Sequence, residues 1–192
     1  MSVKPLTPEE RNELLLRARR AGTVALGAPA RISAPPEPLG RLVEPGMSFV
    51  TWKLERRLRD CIGSVEPVRP LWADVEANAV HALLGDPRFP PATPDELSRL
   101  RADISVLAPF VPVPDPLSAV EIGVHGLLVE MGRRRGLLLP QVPVEWGWGV
   151  SEFLGHACRK AGLPEDAWRD ERTTISTFTA EVFGEEDVLP GG

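Results

Sequence analysis

The chain has 192 residues, 43% of them hydrophobic and 26% charged, a globular composition able to bury one sizeable core as a single domain or two closely packed lobes. No apolar run approaches the roughly 18 residues that a membrane span needs, and a net charge of −5 argues against bulk attraction to nucleic acid or anionic lipid. Tyrosine is absent, which removes phenolic acid–base chemistry.

The N-terminal residues lack the apolar core of a signal peptide and lead straight into a polar helix start, so a cytoplasmic protein is expected. Residues 7–28 read as that helix. Thr7 is the N-cap, Pro8 suits the first helical position, and Glu10 completes a capping box. Leu14, Leu15, Ala18, Ala21 and Ala25 recur on one face, and Gly27 is the stop. Residues 29–45 hold five prolines and form an extended connector.

Residues 47–54 have strand composition, and residues 57–65 follow after a charged turn, which predicts a hairpin. The next helix covers residues 71–84, with Leu71, Val75, Ala79 and Leu83 as its stripe and Trp72, Val80 and Leu84 widening it. His81 within it reads as a boundary residue. The loop Asp86-Pro87-Arg88-Phe89-Pro90-Pro91 has a stiff backbone, both charge signs and an aromatic ring, the composition of a connector or of a site wall. Thr93 to Glu96 is a second capping box, opening a short helix that ends near Leu100. A strand is expected from Asp103 to Pro109.

After a proline-rich loop, Gly126 to Met131 and Gly136 to Leu139 form a second hairpin, with Gly132 to Gly136 as its arginine-rich turn. Residues 144–148 read as a turn or helix start rich in tryptophan. Residues 150–161 are helical, with Phe153, Leu154, Ala157 and Cys158 inward. Residues 173–183 alternate as one half-buried strand, and residues 185–192 are an acidic, Gly/Pro-containing tail. Helices mixed with hairpins give an α+β fold with a mixed or antiparallel sheet and flanking helices.

Two cysteines make no disulfide framework, and no metal-ligand spacing is present. Chemistry centres on Leu58-Arg59-Asp60-Cys61-Ile62-Gly63-Ser64. A thiol needs positive neighbours or a base to ionise at neutral pH. In a regular strand Arg59 and Cys61 share a face, and Arg59 would stabilise a thiolate. Asp60 would then lie between Leu58 and Ile62, a costly place for a carboxylate. Either Asp60 has a buried partner, or a bulge at residue 60 resets the alternation and Cys61 turns inward as an inert core residue. His125, beside Gly126, is the better placed histidine for a base. Cys158 reads as a small core residue.

Several segments together resemble the AMMECR family: Phe49-Val50-Thr51, the Leu58–Ser64 stretch, the Asp86–Pro91 loop, Ser105-Val106-Leu107, Gly123 to Leu127, Leu138 to Val142 and Cys158 to Leu163. The chain resembles the system protein A branch of the AmmeMemoRadiSam set. The resemblance implies an α+β fold with a larger and a smaller lobe around a cleft, and partnership with Memo-like and radical SAM proteins. It implies site residues Arg59, Cys61, Ile62, Gly63, Asp86, Arg88, Phe89, Ser105, Gly126, Pro140 and Gln141. Asp60 stands where the family usually has glycine, which favours a bulge, and relatives often carry an acid at the His125 position. The resemblance supplies a site and no established reaction; the residues themselves suggest a thiol-dependent enzyme or enzyme subunit, with Arg59 and Arg88 binding a small anionic or carbonyl substrate. The alternative is a non-catalytic module for a peptide, small ligand or partner, anchored by Trp52, Trp146, Trp148 and Phe89. The resemblance names no cofactor.

Overall fold

Residues 4–28 and 36–188 are described by the computed structural model. They form two compact units, Met1–Leu107 with Glu181–Gly192, and Ala108–Ala180. Each is built on a four-stranded sheet carrying helices, the α+β class that the order of elements predicts.

In the first unit α1 (Pro8–Ala25) opens on the predicted capping box, with the Thr7 side chain accepting from the Glu10 N–H and Glu10 reaching back. The strands are β1 (Met47–Leu54), β2 (Arg57–Gly63), β3 (Leu100–Leu107) and β8 (Ala180–Gly184), in sheet order β2-β1-β3-β8. Ser48, Val50 and Trp52 of β1 and Ala102, Ile104 and Val106 of β3 point to the buried side, where α1 and α2 (Leu71–Gly85) complete the core. The expected stripe of α2 is buried, but Leu84 is exposed. Its inward face also carries two polar residues that the apolar pattern passes over. Asp74 Oδ2 accepts from the Ser48 N–H, both hydroxyls of Ser48 and Ser64, and the Asn78 amide, which ties the helix to the end of the hairpin.

The first hairpin turns on Glu55 and Arg56, both at positive φ (50° and 65°), between the closing pair Leu54 and Arg57. This is the left-handed geometry that matches the twist of paired strands and that Asn-Gly adopts at low cost. The second strand ends at Gly63, two residues earlier than predicted. A short helix, α3 (Pro94–Leu97), follows the second capping box, and β3 begins at Leu100 rather than at Asp103. Only the part of the proline connector from residue 36 onward lies within the described residues, and it includes a 3-10 turn at Gly40–Val43.

The second unit contains β4 (Val111–Pro112), α4 (Pro116–Ala119), β5 (Gly126–Met131), β6 (Arg134–Leu138), α5 (Gln141–Trp146), α6 (Val150–Lys160) and β7 (Thr174–Phe178), with sheet order β4-β7-β5-β6. Its core gathers Leu127, Val129 and Ile175 from the sheet with Phe153, Leu154, Ala157 and Cys158 from α6. Burial pushes the Cys158 thiol pKa up, as expected for a core cysteine. The turn of the second hairpin is shorter than predicted. Met131 pairs with Arg134, leaving Gly132 and Arg133 as the loop. Gly136 is therefore a strand residue. A methyl there would stand 2.4 Å from the Ala161 nitrogen and 2.6 Å from the Ala157 carbonyl oxygen, so the glycine lets α6 approach the sheet. The tryptophan-rich segment is already helical from Gln141.

The predicted single strand at 173–183 is two strands in two sheets. Chain segment β7 pairs with β5 in the second unit, and β8 joins β3 in the first. Ile175, Ser176, Thr177 and Phe178 are all buried, so alternation does not report one wet face. Behind β8 lies α7 (Glu185–Val188). Glu185, the first residue of the expected tail, is buried, pairs with Arg19 and accepts from the Ala102 N–H. Residues 189–192 lie outside the described residues.

Candidate functional site

Strand β2 pairs with β1 through a bulge. Trp52 faces Asp60 and Lys53 faces Leu58, so Arg59 is the extra residue. Two side chains thus oppose one on the partner strand, and the alternation changes phase. Asp60 and Ile62 lie on the buried side with Trp52 and Val50, while Leu58 and Cys61 lie on the outer side with Lys53 and Thr51. Asp60 has the expected partner, in Arg59, and a bulge is present, but at Arg59 rather than at Asp60, which pairs with Trp52. Cys61, however, does not turn inward. It is half-buried on the outer face, and the Thr51 hydroxyl donates to its sulfur at 3.2 Å.

The bulge also separates Arg59 from the position expected for it. Its guanidinium bonds Asp60 Oδ1 (2.7 Å), Glu96 Oε1 (3.3 Å) and the Pro90 carbonyl (2.9 Å), and lies 5.7 Å from the centre of the Phe89 ring. Arg59 therefore fastens the 86–91 loop and α3 to β2. Asp60 is 1% exposed, and its second oxygen has no hydrogen-bond partner among the described residues. Burial pushes its pKa up to about 6, against the attraction of Arg59 and with the help of Asp86 and Glu96.

Asp86 terminates α2 and begins the Asp-Pro-Arg-Phe turn, in which the Phe89 N–H donates to the Asp86 carbonyl. Aspartate at the first position and proline at the second suit such a turn, and the carboxylate accepts the N–H two residues on. Asp86 Oδ1 accepts from the Arg88 N–H and Nε, and Oδ2 accepts from Arg88 Nη2 (2.6 Å) and the Cys61 N–H (3.0 Å). These bonds, the Arg88 guanidinium first, hold the carboxyl well below the usual carboxylate range. Arg88 Nη2 also donates to the Cys61 carbonyl at 3.2 Å. One acid and one base side chain thus take both backbone groups that Cys61 turns to the open edge of the sheet, a position where a neighbouring strand would otherwise pair. Arg88 remains half-exposed, and its Nη1 has no hydrogen bond among the described residues.

The predicted residues fall into groups. Arg59, Asp60, Cys61, Asp86, Arg88 and Phe89 form one connected cluster in the first unit. Gly63 and Ser105 flank Phe49 on neighbouring strands of the same sheet, and the ring lies over Gly63, where a methyl would meet it at 2.2 Å. Ile62 packs against the core. His125, Gly126, Pro140 and Gln141 belong to the second unit, at one end of the β5–β6 hairpin. There His125 Nδ1 accepts the Glu121 N–H, Phe178 covers Gly126 as Phe49 covers Gly63, and Gln141 Oε1 is buried without a partner among the described residues.

Of the expected aromatic anchors, Trp52 is fully buried and donates to the Ala79 carbonyl, so it is core. Trp146 is 70% exposed and stacks on Trp148, which stacks in turn on His156. Burial and the neighbouring Arg159 lower the His156 pKa. Thr51 and Glu96 complete the cluster; sequence marks them only as part of a family segment and of a capping box, not as site residues. Thr51 is opposite Cys61 in a hairpin with a two-residue turn, a relation that register counting recovers only once the bulge is known. Among the described residues no group of three or more His, Cys, Asp and Glu side chains could hold a metal ion, and no helix is long and apolar enough to cross a membrane.

Comparison with known proteins agrees with this architecture. A protein of Methanopyrus kandleri is 47% identical over 191 residues, covering 95% of this chain and 91% of that one. A protein of Thermococcus gammatolerans is 43% identical over 188 residues, covering 93% and 92%. The crystal structure of the uncharacterised protein PH0010 from Pyrococcus horikoshii superposes with a TM-score of 0.87 at 40% identity, covering 94% of each chain. The AMMECR1 family model matches residues 17–183, and the chain belongs to the AMMECR1 family.

Proposed function

We propose that this AMMECR1-family protein is a thiol-dependent enzyme or enzyme subunit in which Cys61 attacks a small substrate bearing a carbonyl and a negative charge. The observation that carries the reading is the treatment of Cys61. Its sulfur is on the outer face against the Thr51 hydroxyl, while Asp86 and Arg88 hold its peptide group from the strand edge. A nucleophile whose backbone is fixed by side chains loses little further entropy on reaction. Arg88 would supply the anion contact through Nη1, its other donors being committed to Asp86 and Cys61. Arg59, with all its nitrogens engaged inside the cluster, acts as a positioning residue rather than an anion binder.

Glyoxylate tests the reading, with neutral acetaldehyde as the comparison. The Cys61 sulfur adds to the aldehyde carbon, the carbonyl π bond breaks, and its oxygen takes the thiol proton to give a hemithioacetal. Native mass spectrometry is expected to detect this adduct on the wild type and not on Cys61→Ser, with Arg88→Gln losing the preference for glyoxylate. Absence of any Cys61 adduct with either aldehyde would remove the proposal.

The family resemblance supports Memo-like and radical SAM proteins as partners. Trp146, exposed and stacked on the half-buried Trp148, favours a second reading, a binding or adaptor module that presents this ring to a peptide or partner chain. Under it, Trp146→Ala weakens binding to a purified Memo-like partner while Cys61→Ser does not.

A further inference from the structure

The outer face of the first sheet carries a row of polar side chains across three strands. Thr51 of β1 is in register with Cys61 of β2 on one side and with Asp103 of β3 on the other. Neighbouring strands lie about 4.8 Å apart, so these three side chains share one strip of surface. All three are half-buried, whereas the residues one step along each strand are on the opposite, core-facing side. Asp103 pairs with Lys53, two residues along β1 from Thr51. The row closes at Gly184 of β8, where a methyl would come within 2.4 Å of the Asp103 carboxylate oxygen.

A hydroxyl in the middle of such a row has one proton to give, and here it goes to sulfur. Threonine is stiff at its first side-chain torsion, so the Oγ1 position is set by the strand backbone. The strand is in turn paired on both sides. The Cys61 sulfur is held by this donor while its peptide is held by Asp86 and Arg88, so side chain and backbone are oriented by different elements.

We infer that Thr51 is the positioning residue of the Cys61 site, and that its hydroxyl holds the sulfur and stabilises it in the ionised, attacking form. The inference rests on the reading of Cys61 as a reactive thiol. A hydrogen bond to the charged form of a group favours that form. Asp103, tied to Lys53, continues the row without offering a proton of its own. The Lys53 ammonium offsets the carboxylate charge beside the site.

The test is the pH profile of Cys61 alkylation by iodoacetamide in the intact protein, in which the thiolate displaces iodide from carbon. Thr51→Val, nearly isosteric, is expected to slow alkylation about threefold or more at neutral pH and to move the profile to higher pH. Thr51→Ser is expected to restore the wild-type profile. Denaturant midpoints of the three proteins separate this effect from a loss of folding, since a stability change alone moves no pH midpoint. An unchanged profile in Thr51→Val with rapid wild-type alkylation overturns the role of Thr51 and leaves the thiol reading standing. A Cys61 that is inert in the wild type overturns both.

Discussion

Asp86 Oδ2 accepts the Cys61 N–H at 3.0 Å, so a carboxylate at the end of α2 stands in for the strand that β2 lacks on its open edge. The same carboxylate orients Arg88, which accepts nothing and donates to the Cys61 carbonyl. A short turn thereby closes the sheet edge and fixes the residue around which the cluster is arranged. The cluster's charges then make separate demands on stability.

Asp86→Ala removes four hydrogen bonds made by one buried carboxylate. Hydrogen bonds to charged groups contribute about 1.5–3 kcal/mol net of exchange with water, but three of the four come from the half-exposed Arg88, so a loss of roughly 2–4 kcal/mol is expected. The denaturant midpoint should fall, and the Cys61 amide should exchange with solvent much faster than the amides of β1.

Two carboxyls of the cluster push the pH dependence of stability in opposite directions. The folded-state pKa of Asp86 is depressed, so its contribution is present above the unfolded value near 3.8 and is lost as the pH falls below it. Asp60 is raised from 3.8 to about 6, so the folded state holds its proton more tightly. Ionising Asp60 between about pH 4 and 6 therefore costs stability, by about 3 kcal/mol at most if the full shift is realised. Asp60→Asn should flatten the decline in stability from pH 4 to 6 and leave the acid limb below pH 4 in place. Chemical denaturation at a series of pH values checks both limbs.

The left-handed turn at Glu55 and Arg56 uses two residues that pay a steric penalty of about 1 kcal/mol or more each. Replacing the pair by Asn-Gly should raise stability by roughly 1–2 kcal/mol. The exposed Glu55–Arg99 and Arg56–Glu186 ion pairs that it sacrifices are worth little. Thermal unfolding of the double variant measures the gain.

Gly136→Ala should destabilise more than Gly63→Ala. The new methyl at 136 meets backbone atoms of α6, which move only with the helix, whereas at 63 it meets the Phe49 ring, which has a rotamer to change. Overpacking of this kind costs about 1–3 kcal/mol, and the first variant belongs at the upper end. Comparing the two denaturant midpoints tests the order.

Much of the fold was legible because it is local. Both capping boxes, the first hairpin and the inward face of α6 depend on residues within a few positions of one another. What escaped depends on distant pairing. Residues 173–183 look like one strand because alternation does not reveal which sheet supplies the partner, and here β7 and β8 join different sheets. In the same way Asp74 and Asn78 interrupt an apolar helix face without a local signal, since their partners Ser48 and Ser64 lie on the hairpin. The sequence offers a bulge only as an alternative, and at Asp60, whereas the extra residue is Arg59. Its location is set by the pairing of Trp52 with Asp60, and that decides which side of the sheet the thiol occupies.

Selective alkylation of the folded protein tests that assignment most directly, because the chain contains its own control. Cys158 is fully buried in the second core, and Cys61 is half-buried on the outer face of the first sheet. With limiting iodoacetamide under native conditions, peptide mass spectrometry should find the label on Cys61 and none on Cys158, with Cys158 labelled only after denaturation. Equal protection of both cysteines until the protein unfolds would contradict the reading of Cys61 as the thiol of the site.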